Sequence, residues 1–148
     1  MAWEILIHPE VALWLEGLSE KEYEKVIATM QALAEVGPAL GRPHVDRIKH
    51  SRLHNLKELR PLGSSLRILF AFDFKRRATL LAAGDKSSDW GNWYRINIPI
   101  AEKRFIELND KNNKENKDRG ILTTDRVHLN AIGNQLVADE IWKAIQSL

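Results

Sequence analysis

The stretch LRILFAFDF, residues 66–74, constrains the fold more than any other part of the chain. Read with a period of two, Leu66, Ile68, Phe70, Phe72 and Phe74 share one side, and Arg67, Leu69, Ala71 and Asp73 share the other. This is a strand whose bulky, aromatic face needs an apolar layer above it. The second face is smaller and carries a cation. Lys75, Arg76 and Arg77 read as a turn, after which ATLLAA, residues 78–83, returns as a second strand.

The covering layer lies upstream. Trp3, Ile5 and Ile7 alternate with Glu4 and His8 as a short strand. Pro9 then suits the first position of a helix, and Val11, Trp14, Leu15 and Leu18 form one apolar stripe. Ser19 and Glu22 have the spacing of a capping box, in which hydroxyl and carboxylate each satisfy a backbone N–H. The helix it starts is expected over 20–36, with Tyr23, Val26, Ile27, Met30, Leu33 and Ala34 on its buried face, and Gly37 and Pro38 stop it. Residues 38–52 read as loop, 53–60 (LHNLKELR) as a strand of poor alternation, and 61–65 as a turn. The expected fold class is α+β: an N-terminal strand and two helices packed on a mostly antiparallel sheet, plus a C-terminal helical appendage.

Downstream, residues 84–98 read as a loop, and Pro99 as the start of another helix with Ala101, Phe105 and Leu108 in a narrow stripe. From 109 to 120 the chain is NDKNNKENKDRG, with no apolar residue, and reads as a polar linker or frayed helix end. Residues 121–148 carry Ile132, Leu136, Val137, Ile141 and Ile145 as one amphipathic helical unit, too little for a core of its own. The expected organisation is a domain over 1–108, a linker over 109–120 and a tail over 121–148.

The chain of 148 residues is 44% hydrophobic, enough for a core, and has no cysteine, which excludes disulfides and thiolate metal sites. It shows neither a basic leader before an apolar run nor a stretch long enough to span a membrane, so a cytoplasmic protein with no membrane partner is expected. His8, His44, His50 and His54 lack metal-ligand spacing, and neither a metal nor another cofactor is expected. The formal net charge of +2 hides an asymmetry: residues 1–35 sum to −5, and residues 42–77 to +7. The basic half implies a side that faces a polyanion.

Lys86, Trp90, Trp93, Tyr94 and Arg95 crowd into ten positions. With Arg67 on the smaller strand face, and Lys57 and Arg60 on the strand before it, they suit a groove for single-stranded RNA. Residues 57 and 60 differ by an odd number, so a regular strand sends them to opposite faces. RNA carries its own nucleophile, the 2′-OH; cleavage then needs a base, an acid for the leaving 5′-oxygen and cations for the developing charge. Arg67 suits charge stabilisation, since its fork grips two oxygens. Lys57 or Lys86 suits the base where neighbouring cations depress its pKa, and Tyr94 suits proton donation. Arg76, Arg77, Trp90, Trp93 and Arg95 are candidate RNA contacts, the aromatics by stacking. Structural alternatives stand beside these: Arg67 paired with Asp73 or Glu58, the tryptophans in the core, and Tyr94 and Arg95 capping the last helix.

The runs KELRPLGSSLRILFAFD and LLAAGDKSSDWGNWYRINIPIAEKRF resemble the phage Gp49-like branch of the RelE/HigB toxin superfamily, over roughly residues 2–108. The resemblance implies a RelE-like fold and a type II toxin that cleaves mRNA on the ribosome without a metal. It also implies neutralisation by a small antitoxin, usually a helix-turn-helix protein. Its motif positions are Lys57, Arg60, Arg67, Lys86, Tyr94 and Arg95, with Ala83 standing where glycine is frequent. The alternative within the same fold is a non-catalytic toxin that binds another target, such as a topoisomerase. The tail, LTTDRVHLNAIGNQLVADEIWKAI, is similar to the last block of SGNH hydrolases, matching Asp125 and His128 to that family's triad acid and base. The nucleophilic serine block is missing; only Gly84-Asp85-Lys86-Ser87 comes near it.

Overall fold

The computed structural model describes residues 3–119 except Phe74 and Ser88, with the backbone alone at Trp90 and over 109–119. Phe74 of the expected aromatic face and the whole tail, including Asp125 and His128, therefore lie outside the described residues.

Strand β1 (Glu4–Ile7) leads into helix α1 (Pro9–Glu16) and helix α2 (Glu20–Val36). The capping box forms: Ser19 Oγ accepts the Glu22 backbone N–H, and the Glu22 carboxylate accepts in return. At the far end Gly37 takes φ 71°, and a Cβ there would come within 2.2 Å of Trp3 Nε1. Only glycine combines that backbone with so close a tryptophan. A 3-10 turn (Gly37–Ala39) leads to β2 (Val45–Arg47), β3 (Leu56–Leu59), β4 (Leu66–Phe72), β5 (Arg77–Asp85) and α3 (Trp90–Arg119).

The five strands make one sheet in the order β1-β5-β4-β3-β2. Only β1 runs parallel to its neighbour β5; the other pairings are antiparallel. One face carries Ile68, Phe70, Leu59 and Leu80 and packs under α1 and α2 through Val11, Leu15, Val26, Met30 and Leu33. The opposite face carries Leu56, Leu69, Ala71, Leu81 and Ala82, and α3 lies on it through Ala101, Phe105 and Leu108. A register shift between Leu69 and Phe70 lets the consecutive residues Leu81 and Ala82 both serve this second face.

Three expectations give way here. The supposed loop from Trp90 is the beginning of α3, and Pro99 lies inside that helix. Proline is tolerated because it is exposed, where water serves the carbonyl that loses its partner. The helix backbone runs on to Arg119, through most of the polar run from 109, in keeping with the helix-end reading of that run. Strand β2 emerges from the region expected to be loop. The second sheet face is covered by α3, not open as the groove reading required.

Candidate active site

Beyond the small apolar cluster, the α3 face ends in polar side chains from three strands and the helix. In β3, Glu58 stands opposite Leu69, which puts it on the α3 face with Arg67. Both are nearly sealed, at 7% and 6% exposure. Arg67 Nε lies 3.3 Å from Glu58 Oε1, and its Nη1 donates to the backbone oxygens of Leu66 and Ser64. The buried Nε makes no hydrogen bond, so proximity of charge, not a linear bond, joins it to Glu58. Arg60, just past β3, brings its Nε to 3.6 Å from the same Glu58 oxygen and reaches Asp46 at 3.7 Å.

Helix α3 completes the cluster. Trp93 lies so close over Gly84 that a Cβ there would come within 2.4 Å of its Nε1. A glycine opposite Arg67 in the β4–β5 ladder therefore lets the helix descend onto the sheet. The next residue, Tyr94, then donates its hydroxyl to Glu58 Oε1 at 2.9 Å. Burial first, then the Glu58 charge and this hydrogen bond, push the phenol up to about 12. Tyr94 is thus a held proton donor and a poor base at neutral pH.

Lys86 closes the rim. Asp85 accepts from Ser65 Oγ and from the Ser87 backbone N–H, while Lys86 N–H donates to Ser65 O, fixing the end of β5. The ammonium then lies 5.9 Å over the Tyr94 ring. Its pKa is lowered, by partial burial first and then by the Arg67 charge. A lowered lysine is a better acid.

The structure thus gathers Arg60, Arg67, Lys86 and Tyr94, and adds Glu58, which the sequence reading held only as a partner for Arg67. Lys57 does not join them. It stands opposite Phe70 on the other sheet face, with Nζ 5.3 Å over the Phe72 ring, because neighbouring positions in a strand alternate. Arg77 is also removed from the surface: it is buried, and its Nε donates to Asp73 at 2.9 Å. Trp93 is half-buried and packs against the apolar cluster under α3. Arg95 is exposed and bonds Asn92, one position round the helix from Tyr94. Arg76 is exposed at the β4–β5 turn, remote from the cluster, and the Trp90 side chain lies outside the described residues. Among the described residues no group of three His, Asp or Glu is placed to hold a metal ion, and no helix is long and apolar enough to cross a membrane.

A five-stranded mixed sheet with paired helices on one face and a long helix on the other is a RelE-like fold. The chain matches archaeal RelE in the "Crystal structure of archaeal RelE-RelB complex from Pyrococcus horikoshii OT3" with a TM-score of 0.50 at 16% identity, over 60% of this chain and 99% of that one. Residues 13–106 match the family described as phage derived protein Gp49-like, and the chain belongs to that family, in the RelE/HigB toxin superfamily. Two relatives come from Mycobacterium tuberculosis (strain ATCC 25618 / H37Rv). The chain is 47% identical to "Putative toxin HigB3" over 100 residues, 68% of this chain and 88% of that protein. It is 48% identical to "Putative toxin HigB2" over 100 residues, 66% of this chain and 50% of that protein. The family match ends at residue 106, and the likeness of the tail to a hydrolase block is not borne out.

Proposed function

We propose that this chain is the toxin of a type II toxin–antitoxin system and that it cleaves mRNA, on the ribosome and in the cytoplasm, through the cluster around Glu58. The observation that carries the reading is one carboxylate ringed by the Tyr94 hydroxyl and the cations of Arg67 and Arg60, with Lys86 at the rim. Membership of a family with HigB relatives supports it.

In this reading the incoming phosphate draws Arg60 and Arg67 away from Glu58 and frees the carboxylate. Glu58 takes the proton of a ribose 2′-OH as that oxygen attacks the adjacent phosphorus. Arg60 and Arg67 neutralise the extra negative charge on the phosphorane. The 5′-oxygen leaves with a proton from the Lys86 ammonium. The products are a 2′,3′-cyclic phosphate and a free 5′-hydroxyl, and solvent resets both groups. Tyr94 holds Glu58 in place. A small antitoxin, of helix-turn-helix type by the family resemblance, is the proposed partner that keeps RNA away.

The test is mapping of 5′ ends on ribosome-bound message. Wild type should leave new 5′-hydroxyl ends, and Glu58→Gln should lower their yield by about 10²–10⁴-fold while the variant stays folded by circular dichroism. Intact message with wild type overturns the nuclease. Burial of Glu58 and Arg67, already paired to one another, favours a second reading, a binding toxin that arrests growth without cutting RNA.

A further inference from the structure

The far corner of the sheet, on the α1/α2 side, carries a second cationic and aromatic assembly that the cleavage cluster does not use. Trp3 and Phe72 meet edge to face with centroids 5.2 Å apart. Arg76 places its guanidinium carbon 4.6 Å over the Trp3 ring, and Lys57 places its ammonium 5.3 Å over Phe72. Arg47, exposed on β2 and paired in register with Lys57, adds a third cation. The neighbouring Arg77 and Asp73 pair with each other below the surface, with Glu4 beside them, and Lys75 is exposed in the same turn.

The assembly is held in shape. Trp3 is wedged over Gly37 and its backbone N–H donates to Ala34 O at 2.7 Å. Lys57 Nζ lies 3.4 Å from Pro38 O, and its pKa is lowered by burial first and by the Arg47 charge second. Arg76 keeps φ at 64°, a left-handed backbone that costs a non-glycine residue energy yet aims its side chain at Trp3. A rigid ring capped by guanidinium presents a plane on which a base stacks, while flanking ammonium and guanidinium groups meet phosphates.

We propose that Trp3, Phe72, Lys57, Arg76 and Arg47 form a binding site for single-stranded RNA, separate from the cleavage cluster and on the opposite face of the sheet. This rests on RNA as the target of the proposed function, but not on cleavage. Arg67 and Phe72 are five positions apart in β4, about 17 Å along the strand, and their side chains leave opposite faces of the sheet, so the two sites are distinct surfaces. The corner would hold a flanking stretch of message or exposed ribosomal RNA.

The probe is a fluorescent mixed-sequence 20-mer of RNA with every 2′-hydroxyl methylated, which cannot be cleaved. Its binding to the full chain is followed by anisotropy at about 100 mM salt. The key variant is Lys57→Met with Arg76→Gly. Met preserves the packing on Phe72, and glycine relieves the positive φ, so the melting temperature should hold or rise. The inference expects at least about tenfold weaker binding and a salt slope smaller by about 1.4, the value for two lost phosphate contacts on a single strand. An abasic 20-mer should bind wild type about fivefold or more weaker than the complete one. Unchanged binding of the double variant overturns the site, as does equal binding of the abasic strand, which would mark an unspecific polyanion surface. Tight binding of an acidic peptide in place of RNA at these residues would overturn it too. Message cut normally by a double variant that binds the probe like wild type refutes this site alone. Message left intact, with binding that still depends on Lys57 and Arg76, refutes the nuclease alone.

Discussion

The two faces of the sheet differ in what they bury, large apolar side chains on one and small or charged ones on the other. Under α1 and α2 the strands present Ile68, Phe70, Leu59 and Leu80, all with 0% exposure, and the helices answer with Val26, Met30 and Leu33 at 0%. Under α3 the side chains are smaller, Ala71, Ala82 and Ala101 among them, and the face ends in Glu58, Arg67 and Tyr94. Large apolar residues supply burial free energy in proportion to their area. Buried charges supply little, because desolvation offsets their attraction. In the proposed reading, the nearly sealed Glu58 and Arg67 stand where low dielectric would strengthen their action on a substrate charge.

The sharpest way to break this division is to cross one variant from each face. Glu58→Gln should lower message cleavage by about 10²–10⁴-fold, the range lost with a general base, while the protein still unfolds cooperatively. Phe70→Ala should do the reverse. It should cost about 3–5 kcal/mol in urea unfolding, as expected for truncating a fully buried aromatic. Cleavage per folded molecule should stay near wild type. Should Phe70→Ala lower the specific activity of folded protein as strongly as Glu58→Gln, the faces are not separate.

A smaller effect reads the α3 face directly. The sequence has two tyrosines, so an ultraviolet pH titration resolves them. A step near 12 should be present in wild type and absent in Tyr94→Phe. The sign for stability follows from the raised value. The contribution of Tyr94 is complete below its ordinary 10.0 and drains away as pH climbs from there to about 12. Tyr94→Phe should flatten the alkaline loss over that window. A phenol titrating near 10 in the folded protein would mean that Tyr94 does not face Glu58.

The two faces also differ in how far the sequence revealed them. On the α1/α2 side, local signals sufficed. The apolar spacing from Val11 to Leu18, the Ser19 and Glu22 pair and the alternation of Leu66 to Phe72 all act within a few residues, and the elements formed where expected. The α3 side depends on pairings across the chain. Gly91, Asn92 and Pro99 weaken the helical pattern, and α3 forms there because Trp93 finds the notch at Gly84. Strand β2 has only three residues and exists through its ladder with β3. That Arg67, Arg60, Lys86 and Tyr94 come together was legible from the sequence. Glu58 was not singled out and Lys57 was, because one step of strand register exchanges their faces, and register is fixed by partners rather than by spacing. The odd separation between 57 and 60 already required the split, without saying which residue would cross.

His8 belongs to both sides and therefore tests how tightly they are joined. Its Nδ1 accepts the Glu10 backbone N–H at 3.1 Å, capping α1, while its own N–H donates to Leu80 O in β5. Arg104 reaches over from α3, where its Nη1 donates to Leu81 O at 2.8 Å. The His8 pKa is lowered from 6.5, by burial first and by the Arg104 charge second, with Glu10 and Glu107 opposing. The unfolded chain therefore takes up the proton at a higher pH than the folded one. Stability should be complete above 6.5 and fall as pH drops below it toward the lowered value. Protonation also removes the acceptor that caps α1. His8→Asn keeps a capping acceptor and removes the titration, so its urea midpoint should change less than that of wild type between pH 7.5 and pH 5. Arg104→Gln should give an intermediate slope, since burial remains when the charge is gone. Equal acid slopes in wild type and His8→Asn would show that α1 and α3 do not meet through this histidine, leaving the sheet as the one link between the two faces.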